Sequence, residues 1–190
     1  MREARFEAVC KTAVLTIAGE TLRVAWTGSG LAAVEREHLR TRRELERRLK
    51  MRTVETTPPR VIGEFLRLAA RGKGEDIPLD LSWAREFERE VLEAARRIPY
   101  GQTRSYSWLA REARRPLAVR AAASAMARNP LWLLVPCHRV VYADGRLGPY
   151  GNGAIGQARK RALLAREGVH LEAPRARKEK RSKRQARTKR

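Results

Sequence analysis

The sequence predicts an α+β fold, with a small α/β subdomain at the N-terminus and a mainly helical subdomain after it. Residues 6–26 contain short segments rich in β-branched and apolar residues, whereas residues 82–128 carry apolar residues at helical spacing. A stretch rich in Gly and Pro, residues 72–78, separates the two parts. The chain has 190 residues, of which 43% are hydrophobic, so a packed core is expected.

The N-terminal segments predict a small antiparallel sheet followed by helices. Strands are expected over residues 6–10, 13–17 and 22–26. Ala18-Gly19-Glu20 predicts a hairpin turn between the last two strands. Beyond Gly28-Ser29-Gly30, the apolar spacing predicts one exposed amphipathic helix over residues 31–49, and a short helix is expected over residues 61–70.

Composition divides the chain into three parts. We expect an N-terminal subdomain over residues 1–78, a C-terminal subdomain over residues 79–171 and a basic, disordered tail over residues 172–190. From Ala173 to Arg190 there are ten basic residues and one acidic residue, Glu179. Such a charge run is typical of a solvated segment that adds nonspecific affinity or solubility.

The charge balance indicates a polyanionic partner. The chain has 42 Lys and Arg residues against 21 Asp and Glu residues, a formal charge of +21, so nucleic acid is the first candidate. No apolar run approaches the roughly 20 residues of a membrane-spanning helix, and no apolar signal segment follows the first residues. We therefore expect a soluble, cytoplasmic protein with no membrane partner.

The two cysteines, Cys10 and Cys137, are too few for a disulfide framework, and a cytoplasmic setting keeps both reduced. Together with three histidines they show no paired ligand spacing, so we expect no metal site. Cys10 is interpreted as a structural residue.

The C-terminal part predicts a helix-turn-helix. Ser82 is a plausible N-cap for a helix that ends before Pro99. Two short helices are expected over residues 106–114 and 117–128, with Pro116 in the first turn of the second. In a basic protein this arrangement is typical of helix-turn-helix, winged-helix-like DNA-binding domains, although the pattern alone has little specificity.

The second of these helices is rich in alanine, and Arg120 is the one long cationic side chain in its first turns. Small side chains permit close approach to another surface. For one face of the helix that surface is the core. The other face is suited to a DNA groove.

The strongest chemical signal is Cys137. Residues 131–135 predict an apolar strand leading into Pro136-Cys137-His138-Arg139. A lone cysteine is more often a small buried hydrophobe than a nucleophile, but His138 and Arg139 favour its thiolate. Because consecutive strand side chains point to opposite faces, a bridging water is the simplest link between Cys137 and His138. A thiol with an ordinary pKa of about 8.5 needs such a base, and the imidazolium needs a carboxylate.

Several separated motifs resemble the O6-alkylguanine-DNA alkyltransferases, also called methylated-DNA–protein-cysteine methyltransferases. They are residues 98–106 (IPYGQTRSY), Asn129-Pro130 and residues 136–140 (PCHRV), in the order of that family. The resemblance covers roughly residues 79–169. It implies irreversible transfer of an alkyl group from O6-alkylguanine in double-stranded DNA to Cys137, in a single turnover. O4-alkylthymine is a further candidate substrate, and no cofactor or obligate protein partner is implied for this monomer.

Carried over by position, the resemblance makes Cys137 the acceptor nucleophile and His138 its water-mediated base. Glu167 becomes the carboxylate that orients His138, and Asn129 the residue that holds the active-site turn. A simpler interpretation of Glu167 is an ordinary acid at a helix end.

The resemblance also implies residues that bind DNA and substrate. Tyr106 helps to rotate the phosphate and protonates the departing guanine, and Arg120 fills the vacated base stack. Trp132 forms a wall of the alkyl pocket, and Lys160 lies near the site. The alternative is that the two aromatic residues belong to the core and Arg120 is a surface charge. Residues 151–159 form a loop that is longer than usual for the family.

Three other functions stay open at this point. A noncatalytic alkyltransferase-like protein would bind the lesion and recruit other repair factors, but such relatives replace the acceptor cysteine. A thiol hydrolase using Cys137, His138 and Glu167 would turn over many times and ignore DNA. The third is a basic helix-turn-helix protein with an inert thiol.

Overall fold

The computed structural model describes residues 8–38, 41–74, 76–151 and 153–171. The predicted tail, residues 172–190, lies outside the described residues.

The N-terminal half of the described chain forms the predicted small sheet. Its strands are β1 (Ala8–Ile17), β2 (Glu20–Thr27), β3 (Gly30–Arg36) and β4 (Met51–Glu55). The strand order is β3-β2-β1-β4, and the first three strands pair antiparallel in sequence order. β4 pairs parallel to β1, so the sheet is mixed and not purely antiparallel.

The predicted hairpin turn is present between β1 and β2. Ala18 and Gly19 have φ values of 49° and 78°. Two consecutive residues with positive φ give the turn that matches the twist of the flanking strands. The two strands predicted over residues 6–10 and 13–17 are wrong in one respect, because Lys11 and Thr12 continue the pairing with β2 and β1 is continuous.

The helix predicted over residues 31–49 is wrong in its first half. Residues 30–36 form β3, and helix α1 covers only Thr41–Leu49. The apolar residues of β3 are buried on both faces. Leu31 and Val34 belong to the core cluster that contains Leu92 and Leu109, whereas Ala32 and Ala33 pack in a second cluster with Leu45 and Leu49 of α1. The outer edge of β3 is covered as well, because Leu31 N donates to Pro78 O at 2.9 Å and Val34 N to Pro130 O at 2.7 Å. A strand covered on both faces lacks the polar alternation that identifies strands in a sequence.

The helices after β4 are mostly those that the sequence predicts. They are α2 (Arg60–Ala70), α3 (Glu86–Arg96), α4 (Tyr106–Glu112), α5 (Val119–Ala127) and α6 (Gly153–Arg166). Ser82 is not the N-cap of α3, because its backbone N–H donates to Asp80 Oδ1 at 2.9 Å in a preceding turn. Strand β5 (Arg104–Ser105) pairs parallel with β6 (Val140–Val141) and links the start of α4 to the segment that follows Cys137.

Helices α4 and α5 form the predicted helix-turn-helix. Ser105 Oγ caps α4 by accepting from Trp108 N at 3.1 Å. Arg114 has a φ of 54° in the connecting turn, and α5 begins at Val119. Pro116 therefore lies in the turn and not in the first turn of α5, as the sequence had predicted.

One buried cluster joins the sheet to the helices. It contains Val24 and Leu31 from the sheet together with Leu92 of α3, Leu109 of α4 and Leu131. The two predicted subdomains thus share a core, and their division after residue 78 stays a prediction. None of the helices in the described part of the chain is long and apolar enough to span a bilayer.

Candidate active site

Cys137 begins a short 3-10 helix, Cys137–Arg139, that follows a tightly turned segment. The strand predicted over residues 131–135 is wrong: these residues form turns, and Leu131 makes only an isolated bridge to Val34. Asn129 fastens the turns at both ends. Its Nδ2 donates to Val135 O at 3.1 Å, and its Oδ1 accepts from Leu131 N at 2.9 Å. This side chain therefore positions the residues that lead to the thiol.

The thiol of Cys137 is half-buried and lines an open cavity of about 440 Å³. This volume is within the usual range for small-molecule sites, roughly 300–1,000 Å³. Tyr106, Asn129, Trp132 and Tyr150 line the same cavity. The structure thus brings together four of the residues that the sequence assigned to the site (Cys137, Tyr106, Asn129 and Trp132).

Burial and the neighbouring polar groups have opposite effects on the pKa of the Cys137 thiol. Burial raises the pKa of the thiol above its ordinary value. A hydrogen bond with Asn129, the charge of Lys160 and a hydrogen bond with Tyr150 offset this rise only in part. The guanidinium of Arg139 is bound to Glu167 and to Ile98 O, so its effect on the thiolate stays a prediction.

The carboxylate of Glu167 interacts with three residues, namely His138, Arg139 and Gly101. Its carboxylate lies 2.7 Å from His138 Nε2, accepts from Arg139 Nε at 2.8 Å and Nη2 at 3.1 Å, and accepts from Gly101 N at 3.1 Å. Burial alone would raise the pKa of Glu167, but these hydrogen bonds bring it down to about 2. Glu167 is therefore an anion that fixes the His138 ring, which agrees with the role that the resemblance implied.

Arg139 is a buried anchor that sequence reasoning did not assign to the site. Besides Glu167, it donates from Nη1 to Ile98 O at 2.7 Å, and the residue is 5% exposed. It ties the 3-10 helix to the loop after α3. Its position beside His138 in the sequence was the one available signal, and that signal suggested contact with the thiol instead.

Lys160 is fully buried on α6. Its Nζ donates to Val140 O and lies 6.0 Å from the ring centroid of Tyr106 and 5.9 Å from that of Tyr150. Burial lowers the pKa of Lys160 to about 8, although the nearby Cys137 opposes this shift. A cation beside the thiol stabilises the thiolate.

The aromatic wall of the cavity is held by polar contacts. Tyr106, 3% exposed, is the first residue of α4, and burial raises its pKa. Trp132 Nε1 donates to Tyr150 Oη at 3.3 Å. Tyr150 is hydrogen-bonded to Cys137 as well, so its hydroxyl contacts both the wall and the thiol. Sequence reasoning assigned Tyr150 no role. Its place in a Gly-rich loop between β6 and α6 was the available signal.

The loop before α6 is shorter than the sequence predicts. Residues 153–159 begin α6, so the loop expected over residues 151–159 is wrong over most of its length. Gly148 has a φ of 73°, and a Cβ there would lie 3.0 Å from Tyr106 Oη. Glycine at this position therefore lets the loop pass close to Tyr106.

Arg120 lies apart from the thiol cluster. It is exposed on α5 and makes no hydrogen bond or ion pair with the described residues. Ala122 and Ala125 face the core, whereas Ala123 and Ala127 line the cavity. The small residues of α5 thus pack into the core on one side of the helix and line the cavity on the other. Within the described ranges, no group of three or more His, Cys, Asp or Glu residues could hold a metal.

Residues 86–169, which contain every side chain assigned to the site, match the family model described as 6-O-methylguanine DNA methyltransferase, DNA binding domain. Over 127 residues the chain is 44% identical to the methylated-DNA–protein-cysteine methyltransferase of Mycolicibacterium paratuberculosis. That match covers 64% of this chain and 74% of the relative. The chain belongs to the methylated-DNA–protein-cysteine methyltransferase family. The resemblance inferred from the motifs is confirmed.

Solved structures extend this relationship beyond the matched segment. The structure of Mycobacterium tuberculosis OGT in complex with DNA is 31% identical, has a TM-score of 0.65, and the alignment covers 83% of this chain and 92% of that one. The O6-methylguanine-DNA methyltransferase of Pyrococcus kodakaraensis, 21% identical with a TM-score of 0.59, shares the fold. The methyltransferase fold therefore includes the N-terminal sheet of this chain, which the family model does not reach.

Proposed function

We propose that this protein repairs alkylated DNA by direct reversal, moving the alkyl group from O6 of guanine in double-stranded DNA to Sγ of Cys137. One observation carries the proposal: the thiol faces an open cavity while His138 and Glu167 form a hydrogen-bonded pair behind it. Family membership supports the reaction, and the DNA complex of the Mycobacterium tuberculosis relative supports DNA as the partner.

The first step is loss of the thiol proton. His138 takes this proton through a water, and Glu167 stabilises the imidazolium that results. With Nε2 held by Glu167, the other ring nitrogen has no hydrogen-bond partner among the described residues and is available to a water. Lys160 supplies positive charge beside the thiolate.

Transfer is a direct displacement at the alkyl carbon. The S–C bond forms as the C–O6 bond breaks, and guanine leaves with the electron pair. A proton donated to that leaving group lowers the barrier. Tyr106 is suited to this role because it lines the cavity beside Cys137 and a tyrosine hydroxyl is protonated at neutral pH. The thioether formed has no route back to the thiol in this site, so each molecule acts once.

The substrate base has to leave the duplex before it can reach Cys137. Extruding a base costs a few kcal/mol, which an inserted side chain and phosphate contacts can offset. Arg120 is exposed on a helix of small residues beside the cavity mouth, a position suited to filling the vacated stack from the minor groove. The net charge of +21 adds general attraction to the phosphate backbone. O4-alkylthymine is a second candidate substrate for the same cavity.

A stoichiometric repair assay tests the proposal. Duplex DNA carrying O6-methylguanine is incubated with increasing amounts of protein, and the residual lesion is counted. We expect repair of about one lesion per protein molecule. A Cys137→Ala variant should bind the duplex and leave the lesion intact. Many turnovers would indicate a hydrolase instead, and lesion binding without repair by the wild type would indicate the noncatalytic alternative.

A further inference from the structure

The cavity beside Cys137 has a second wall that the reaction described above does not use. Residues of β3, α1 and the segment between them also line the cavity (Glu35, Arg36, His38, Glu44 and Arg48). The family model begins at residue 86 and leaves this wall out. The N-terminal sheet therefore contributes directly to the shape of the site.

Arg36, the last residue of β3, reaches the aromatic wall. Its guanidinium carbon lies 4.9 Å from the centroid of the Trp132 ring. A guanidinium at this distance over an indole face is attracted by the ring. Trp132 in turn donates to Tyr150, and Tyr150 is hydrogen-bonded to Cys137. A continuous set of contacts thus joins the end of the sheet to the reacting sulfur.

The side chain of Arg36 is fixed by an ion pair, and one of its nitrogen atoms is buried without a hydrogen-bond partner among the described residues. Its Nη2 forms an ion pair with Glu20, the first residue of the neighbouring strand β2, which directs the side chain across the sheet edge. Its Nε is buried and has no hydrogen-bond partner among the described residues. Burial of an unpaired donor is unfavourable. Unfavourable features of this kind are concentrated at functional sites.

We propose that Arg36 is a specificity-determining residue that clamps Trp132 and thereby limits the size of the alkyl group the cavity accepts. This inference rests on the proposed function. With the indole pressed between Arg36 and the Tyr150 hydroxyl, the wall cannot turn away from the thiol. A wall held in this position favours small groups such as methyl, and a benzyl group should be accepted more readily when the indole is free to move.

The test compares transfer rates from duplexes carrying O6-methylguanine and O6-benzylguanine. For Arg36→Ala, we expect the benzyl-to-methyl rate ratio to rise about tenfold, since pocket changes of this size shift discrimination by that order. Arg36→Lys keeps the cation and should leave the ratio within about twofold of the wild type. Glu20 does not line the cavity, and Glu20→Gln should raise the ratio in the same direction by a smaller factor because it loosens Arg36.

Arg42→Ala is the matched control, because Arg42 lies on α1, does not line the cavity and should not change the ratio. If Arg36→Ala does not fold, Glu20→Gln decides the question. An unchanged ratio in every folded Arg36 and Glu20 variant, with normal methyl transfer by the wild type, would overturn this inference alone. Failure of the wild type to remove methyl groups would overturn the proposed function instead.

Discussion

His138 Nε2 lies 2.7 Å from Glu167 Oε1, although the two residues are 29 positions apart in the sequence. The same carboxylate binds Arg139 and the backbone N–H of Gly101. Glu167 follows the end of α6, so its carboxylate fastens the 3-10 helix and the loop after α3 to that end. The orientation of the base and the position of the thiol both depend on this one side chain.

Glu167→Gln should therefore reduce both stability and transfer. Removal of one partner from a buried ion pair leaves Arg139 without a counter-charge and typically costs about 3–5 kcal/mol. We expect a loss of this order in the free energy of unfolding, measured by urea denaturation, and a fall in transfer rate of about 100-fold through loss of the oriented base. Glu112→Gln is the control, because its ion pair with Arg97 is exposed and is worth less than about 1 kcal/mol. Equal losses in both variants would contradict this account of Glu167.

Acid should destabilise the protein through the same carboxylate. The pKa of Glu167 is about 2 in the folded chain against an ordinary value of 4.5. A group whose pKa is depressed by folding stabilises the fold above its unfolded pKa, and this contribution disappears as the pH falls through the folded pKa. We expect on the order of 3 kcal/mol to be lost between about pH 4.5 and 2. The difference in unfolding free energy between wild type and Glu167→Gln should shrink over this range; a constant difference would contradict the assignment.

Lys160→Met should raise the pKa of Cys137. The charge of Lys160 lowers the thiol pKa, so its removal makes the thiolate less favourable. The rate of alkylation by iodoacetamide, followed against pH, should be about tenfold lower in the variant below about pH 8, where Lys160 carries its charge; this factor corresponds to about one pKa unit of the thiol. Because the pKa of Lys160 is itself about 8, the wild-type advantage should fade above that pH. Lys11→Met, on the exposed surface of β1, serves as control; a rate below pH 8 that is unchanged or higher in Lys160→Met would exclude this role.

Arg120→Ala should slow repair of a base in duplex DNA without slowing alkyl transfer to Cys137 itself. Arg120 is exposed and has no partner among the described residues, so the free energy of unfolding should change by less than about 0.5 kcal/mol. Repair of O6-methylguanine in a duplex should slow by about tenfold, the equivalent of about 1.4 kcal/mol, since base extrusion loses part of its compensation. Reaction with the free base O6-methylguanine should be unaffected. Arg71→Ala, exposed after α2, is the matched control; slower reaction with the free base would place Arg120 in the chemistry.

The parts of the fold that follow from local chemistry could be predicted from the sequence. The Ala18-Gly19 turn and α2 have local signals of this kind, and both are present. β3 could not be found in this way, because one of its faces is covered by Leu45 and Leu49 of α1 and the other by helices that are distant in the sequence. Apolar spacing along one segment carries no information about such distant cover.

The candidate site likewise contains residues that a local segment of sequence could indicate and contacts that only the tertiary fold creates. Cys137, His138 and Asn129 lie within one short segment, so their residue types and order could indicate chemistry. Nothing in the spacing of the sequence connects Glu167 to His138, and the pairing was expected only through the resemblance. The contact between Arg36 and Trp132 joins two halves of the chain and follows only from the tertiary fold.

The central claim is that Cys137 receives the alkyl group. After reaction with O6-methylguanine duplex DNA, trypsin releases a peptide of residues 129–139 that contains Cys137 and a peptide of residues 6–11 that contains Cys10. We predict that the first peptide gains the mass of one CH2 group in proportion to the lesions lost, while the second is unchanged. Loss of the lesion with no gain on the 129–139 peptide, or a gain on the peptide of Cys10, would contradict the claim.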